Sequence, residues 1–344
     1  MLKGKRNIRE YHLCLLGYGK VNQRLVHLLE QRRTTLRDEY GIAWRITGVA
    51  TRRMGWRVAP EGFDPGLLAE VEGPGPANQR HAANVREWLQ AAEADVLFEA
   101  SSLNATTGQP AVDHIRAALE LGAHAITANK GPLVHAYGEL RDLAARRGRC
   151  FLFESTVMDG APIFSMFRNN LPMVRVDGFR GILNSTTNVM LTAMEEGRSF
   201  EESLKKAQAI GVAENDFSDD IEGWDAAVKV AALAWVVMGV PMDVQKIERE
   251  GIGALTGETV RKARAAGHPY KLVCRASRHG AGVDASVGPE RVPLSDPLAH
   301  VAGTSSVVYF ETDLFPGLAI VEVNPGLDAT AYGMLADFLR AVAR

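Results

Sequence analysis

The chain has 344 residues, 46% of them hydrophobic and 23% charged, with a formal net charge of −2. That length accommodates two domains with sizeable cores, and the near-neutral balance lacks the clustered basic excess of a nucleic-acid-binding surface. Three cysteines, Cys14, Cys150 and Cys274, sit far apart in apolar runs without a C-x-x-C spacing, so they read as buried thiols rather than as disulfides or a zinc site. The charged N-terminus has no apolar signal segment and no apolar run reaches membrane-spanning length, so a cytoplasmic protein with no membrane partner is expected.

A first strand is predicted over 12–16, ending in Gly17-Tyr18-Gly19, with an amphipathic helix over 20–33. Strand, Gly-x-Gly turn and helix are the opening of a dinucleotide-binding fold. Gly17 permits the tight turn, Gly19 lets the backbone approach a pyrophosphate, and Lys20 and Val21 begin the helix whose N-terminus faces it. The third glycine position of that motif holds Asn22. A second strand over 44–50 runs into Thr51-Arg52-Arg53, where NAD-binding chains usually carry an acidic residue for the ribose. Arg52 and Arg53 suit a 2′-phosphate instead and favour NADP, with NAD as the alternative.

Residues 53–80 are loop-rich, with helical turns near 65–71 and 82–93. A buried strand over 95–100 ends at Ser101-Ser102, a placement that suits cofactor contact because ligands sit beyond the carboxyl ends of parallel strands. Helix 110–121, strand 124–127, helix 133–147 and strand 150–153 complete an alternating series, which argues a doubly wound parallel sheet.

Beyond it, helices are predicted over 161–170, 185–196, 199–210 and 222–238, and strands over 174–183, 271–276, 282–287, 305–311 and 318–323, as in a mixed sheet. A final helix covers 328–343. The densest charge is in 211–229, where Glu214, Asp219 and Asp220 lie in the loop before a helix that carries Asp225 and Lys229. Asp220 is a candidate N-cap. Asp225 and Lys229 are four residues apart, so their side chains share a helix face. Ala226, Ala227, Ala231, Ala232 and Ala234 around Lys229 indicate a helix buried nearly all round. A buried lysine is costly unless paired, and a paired one is poised for proton transfer.

Several stretches together resemble the homoserine dehydrogenase family: Gly181-Ile-Leu-Asn184-Ser-Thr186-Thr-Asn188, then Ala213-Glu214, then Asp220-x-x-Gly223-x-Asp225-Ala-x-x-Lys229, with Asn129-Lys130 upstream. The resemblance implies an α/β chain with a Rossmann-type nucleotide-binding domain over 1–155, on which 325–344 packs back. It implies an α+β catalytic and dimerisation domain with a mixed sheet over 156–324, in a short form without a regulatory or kinase domain. The implied activity is NAD(P)-dependent interconversion of L-homoserine and L-aspartate 4-semialdehyde, a step towards threonine, methionine and isoleucine, by a homodimer acting on a small-molecule substrate.

In the implied site Lys229 is the general acid, Asp225 holds its ammonium, and Lys130 assists from the cofactor side. Glu214, Asp219, Asp220, Asn184 and Thr186 bind substrate, and Gly326 lies near the cofactor. Glu154, Val157, Asp159 and Ala161 ring a monovalent cation, Na+ or K+. Four features depart from the family pattern: Met158 and Asp159 replace glycines, Val212 replaces a tyrosine, and 324–328 lacks most of a glycine-rich run. They motivate one other reading, a dehydrogenase for another small amino or oxo acid, and a second alternative is a non-catalytic nucleotide-binding relative. Retention of Glu214, Asp225, Lys229 and Lys130 together weighs against the second.

Overall fold

The computed structural model describes residues 7–66, 68, 80–213 and 216–342. They form two compact units, Met1–Pro162 with Gly326–Arg344, and Ile163–Pro325.

The first unit is built on a sheet in the order β4-β3-β2-β1-β5-β6-β7: β1 (Arg9–Leu16), β2 (Ile42–Thr51), β3 (Gly55–Phe63), β4 (Arg80–Ala82), β5 (Val96–Glu99), β6 (His124–Thr127) and β7 (Phe151–Leu152). β2, β1, β5, β6 and β7 run parallel, whereas β3 and β4 are antiparallel. The sheet is therefore not wholly parallel, and 55–63 is a strand rather than loop. Gly55, at φ +67°, reverses the chain directly after β2, and Val58 and Ala59 are then buried. Trp56 lies against Trp88, at 5.3 Å between ring centroids. The turn holding Arg52 and Arg53 carries little of the usual turn chemistry, which is why the hairpin is hard to see in the sequence. The helical turn expected at 65–71 falls largely outside the described residues.

Around this sheet lie α1 (Lys20–Gln31), α2 (Arg33–Tyr40), α3 (Val85–Ala91), α4 (Ala111–Glu120) and α5 (Gly131–Arg147). The predicted helix 20–33 stops at Gln31, and α2, which was not anticipated, follows it to a left-handed Gly41. The C-terminal helix (Leu327–Val342) packs on α1. It sends Phe338 into the core, edge-on to Tyr11 and Phe98.

The second unit has a mixed sheet in the order β13-β12-β8-β10-β11-β9: β8 (Val176–Ile182), β9 (Glu248–Arg249), β10 (Tyr270–His279), β11 (Gly282–Arg291), β12 (Ser306–Thr312) and β13 (Leu318–Glu322). All pairings are antiparallel except β11 with β9. Its helices are α6 (Ile163–Asn169), α7 (Ser185–Glu195), α8 (Phe200–Ala209), α9 (Ser218–Ile221), α10 (Trp224–Met238) and α11 (Gly257–Ala265). β9 and α11 lie in a stretch for which no element was predicted. Asp220 sits within α9 and is not an N-cap; α10 starts after Gly223, whose φ of +82° breaks the two helices apart. As its alanines indicated, α10 is buried along nearly its whole length.

Candidate active site

In the first unit, Gly17 turns the chain from β1 into α1 at φ +79°, and a Cβ there would collide with the Ala100 carbonyl. A Cβ at Gly19 would meet nothing within 4 Å, so the backbone there borders open space. Asn22 takes over the work of a third glycine by hydrogen bonding. Its buried amide Nδ2 donates to the carbonyls of Leu16 (3.2 Å) and Gly17 (2.8 Å), tying α1 to the end of β1.

A cavity of about 940 Å³ opens at this turn, lined by Gly17, Gly19, Arg52, Arg53, Ser101 and Ser102. Tyr18, Met54, Trp56 and His114 also line it; Trp56 arrives on β3, the strand that was not anticipated. Burial pushes the Tyr18 hydroxyl up to about 12 and the His114 imidazole down. No carboxylate is among the described residues that line it, and a dinucleotide's phosphates fit the turn at Gly17 and Gly19. Lys20 and Val21 begin α1 outside the lining, Lys130 leads into α5, and Gly326 is exposed.

In the second unit Asn184 caps α7, its Oδ1 accepting from the Thr187 amide at 2.8 Å. Its Nδ2 donates to Asp220 (2.6 Å) and Asp225 (3.0 Å). Lys229 Nζ lies 2.9 Å from the same Asp225 oxygen and donates to the Leu183 carbonyl at 2.6 Å. Thr186 donates its hydroxyl to the Val212 carbonyl at 3.0 Å and also bonds Asp220. Asn184, Thr186, Asp220, Asp225 and Lys229 are thus drawn into one set, whereas Asp219 is exposed and outside it. Glu214 lies outside the described residues. Burial, reinforced by the neighbouring Asp225 charge, raises the Asp220 carboxyl above the ordinary aspartate range. Cys274, buried close by, has its thiol pushed up to about 12 by burial and is no nucleophile.

The segment from Glu154 to Pro162 keeps a tight turn despite its two replaced glycines. Asp159 alone of the replacements takes a left-handed conformation, at φ +41°, and its carboxylate accepts from the Thr330 hydroxyl at 2.9 Å. Met158 is buried on an ordinary backbone. Gly160 is required there, because a Cβ on it would strike the Ala329 carbonyl. Glu154 is buried, with its carboxylate 3.8 Å from the Arg340 guanidinium and its amide bonded to Asp337 at 2.8 Å. An oxygen-rich turn with one buried carboxylate fits a monovalent cation, although Arg340 already supplies positive charge to that carboxylate.

Two family models match the chain: homoserine dehydrogenase over residues 162–339, and the homoserine dehydrogenase NAD-binding domain over 17–154. An NAD(+)-dependent homoserine dehydrogenase of Pseudomonas canavaninivorans is 34% identical over 336 residues, covering 96% of each chain. The chain belongs to the homoserine dehydrogenase family. A homoserine dehydrogenase of Methanocaldococcus jannaschii is 32% identical over 95% of this chain and 97% of its own. Among solved structures, one from Thiobacillus denitrificans superposes with a TM-score of 0.82 at 28% identity, over 98% of this chain and 74% of that one. A hyperthermophilic archaeal homoserine dehydrogenase mutant in complex with NADPH superposes with a TM-score of 0.81 at 25% identity, over 97% and 98%. The chain is accordingly an NAD(P)-dependent oxidoreductase with a small-molecule substrate. Among the described residues no helix is long and apolar enough to cross a membrane.

The raised Asp220 carboxyl has a consequence for stability. Because its folded value lies above the unfolded one, its stabilising contribution is present at acid pH and is lost as pH rises through the folded value. Ionised Asp220 therefore costs stability near neutrality, and Asp220→Asn is expected to melt roughly 2–4 °C higher at pH 8, the shift that about 1 kcal/mol gives in a large chain. The gain should vanish by about pH 4, where aspartates near their reference value are already half protonated. Melting curves across that range check it; an equal loss of stability at both ends would contradict it.

Proposed function

We propose that the chain reduces L-aspartate 4-semialdehyde reversibly to L-homoserine, with NADP as its preferred cofactor. The observation that carries the residue assignment is the set Asn184–Asp220–Asp225–Lys229, which holds one ammonium among carboxylates and the Leu183 carbonyl. The cofactor, when bound, supplies or accepts the hydride. Lys229 holds a proton at Nζ and delivers it to the substrate oxygen as negative charge develops there; Asp225 and the Leu183 carbonyl aim it. Asp220, Asn184 and Thr186 provide the polar wall for the substrate's ammonium and carboxylate, and Glu214 and Asp219 are assigned to the ammonium with them. Lys130 holds substrate or relays a proton from the cofactor side. Assembly as a homodimer through the second unit belongs to the same proposal.

A panel of small aldehydes and oxo acids tests this reading, with NADPH oxidation followed optically and the chain's mass measured by sedimentation. Oxidation with aspartate semialdehyde alone, by a species of twice the chain mass, supports it. Comparable turnover of another oxo acid would favour the related-dehydrogenase reading, which Val212 in place of a tyrosine motivates.

The cation is proposed as a weak ligand of Glu154 and the carbonyls of Val157, Asp159 and Ala161. With Arg340 already beside Glu154, replacing Na+ and K+ by a bulky organic cation should change turnover by less than about threefold, under 1 kcal/mol. A strict requirement for either ion would show that Arg340 does not compensate.

A further inference from the structure

Glu99, at the carboxyl end of β5, is wholly buried, and the chemistry above gives it no part. Its carboxylate accepts three hydrogen bonds: the Ser101 amide at 2.9 Å and the Ser101 hydroxyl on Oε1, and the Thr127 hydroxyl at 2.7 Å on Oε2. The pattern continues through Thr127, whose oxygen accepts from the Asn129 amide at 2.9 Å. Asn129 Oδ1 accepts from the Gly131 amide at 2.9 Å, while its Nδ2 points back to the carbonyls of Ser101 (3.3 Å) and Ser102 (3.4 Å). The result is a closed circuit joining the ends of β5 and β6. One end carries Ser101 and Ser102, which line the cavity; the other carries Lys130.

A buried carboxylate costs free energy, and burial does raise the Glu99 carboxyl. Strand packing alone would be served by an apolar side chain. What an apolar chain or an amide cannot do is accept on two oxygens, and here the Ser101 amide and the Ser101 and Thr127 hydroxyls all donate to Glu99. We infer that Glu99 is a positioning residue for the cofactor: its two acceptor oxygens lock the Ser101–Ser102 segment into the cavity wall and tie it to the Asn129–Gly131 turn. The inference rests on the reading of this cavity as the NADP site.

The test uses the full-length enzyme carrying Glu99→Gln, with NADPH affinity measured by fluorescence titration and with kcat and KM at saturating substrate. Gln matches the size but offers one acceptor oxygen, so with that oxygen on Ser101 the Thr127 hydroxyl faces an NH2 group and can no longer donate to residue 99, which disturbs the circuit at its middle. The Kd and KM for NADPH should rise about tenfold, the usual worth of a hydrogen bond to a charged group, while kcat at saturating NADPH stays within about threefold. Thr127→Val, which leaves Glu99 in place but breaks the circuit at its middle, should move Kd in the same direction if Glu99→Gln fails to fold. Unchanged NADPH affinity in a folded variant with a lowered melting temperature would make Glu99 merely structural and overturn the inference. Absence of NADPH and NADH binding by the wild type would overturn the cavity reading along with it.

Discussion

Lys229→Ala is expected to lower kcat by about 100-fold or more while NADPH still binds with nearly unchanged affinity. The size follows from general acid–base catalysis, where a positioned proton donor contributes roughly 10²–10⁴. The selectivity follows from location: Lys229 lies on α10 of the second unit and is not among the residues lining the cavity of the first. Removing Nζ also leaves Asp220 and Asp225 bonded to a common Asn184 amide without their ammonium, so substrate affinity should fall as well. Lys229→Arg separates charge from proton transfer. A guanidinium keeps the positive charge but does not give up its proton near neutrality, so this variant should be nearly as slow. Steady-state kinetics with a direct NADPH titration decide the matter, and near-wild-type kcat in either variant would remove Lys229 from the role.

Replacing both Arg52 and Arg53 by Ala should raise the KM for NADPH by roughly 10- to 100-fold and the KM for NADH by less than about threefold. Charge-assisted contacts to a phosphate contribute about 1.5–3 kcal/mol; the two arginines are exposed and screened by solvent, so together they are expected to supply about that much, and only NADPH carries the 2′-phosphate. Both arginines line the cavity just past β2, and among the described residues that line it no carboxylate stands to receive a ribose hydroxyl. A wild-type enzyme that prefers NADH would show that the two arginines serve the surface and not the cofactor.

Local signals in the chain were strong wherever one residue type answers one backbone demand. Gly17 at a left-handed turn, the alanines that sheathe α10 and the four-residue spacing of Asp225 and Lys229 are all legible without coordinates, because each depends on neighbours a few positions away. The alternating strands and helices of 95–153 belong to the same class. The hairpin of β2 and β3 does not: Trp56 is held by Trp88, thirty-two positions on, and no periodicity within 53–63 announces that contact.

The motif around Asn184 and the run from Asp220 to Lys229 were each readable from the amino-acid order, and with them the family. That order could not say which acids meet. Tertiary structure joins Asp220 and Asp225, on two helices split at Gly223, through one Asn184 amide; it leaves Asp219 exposed, because neighbours on one helix point about 100° apart. It also sets Arg340 beside Glu154, and closes the circuit from Glu99 through Thr127 and Asn129 to Ser101. Sequence determines which groups are present and which share a helix face. Pairing of distant charges is decided only when the sheets and helices pack, since burial removes water as their competing partner.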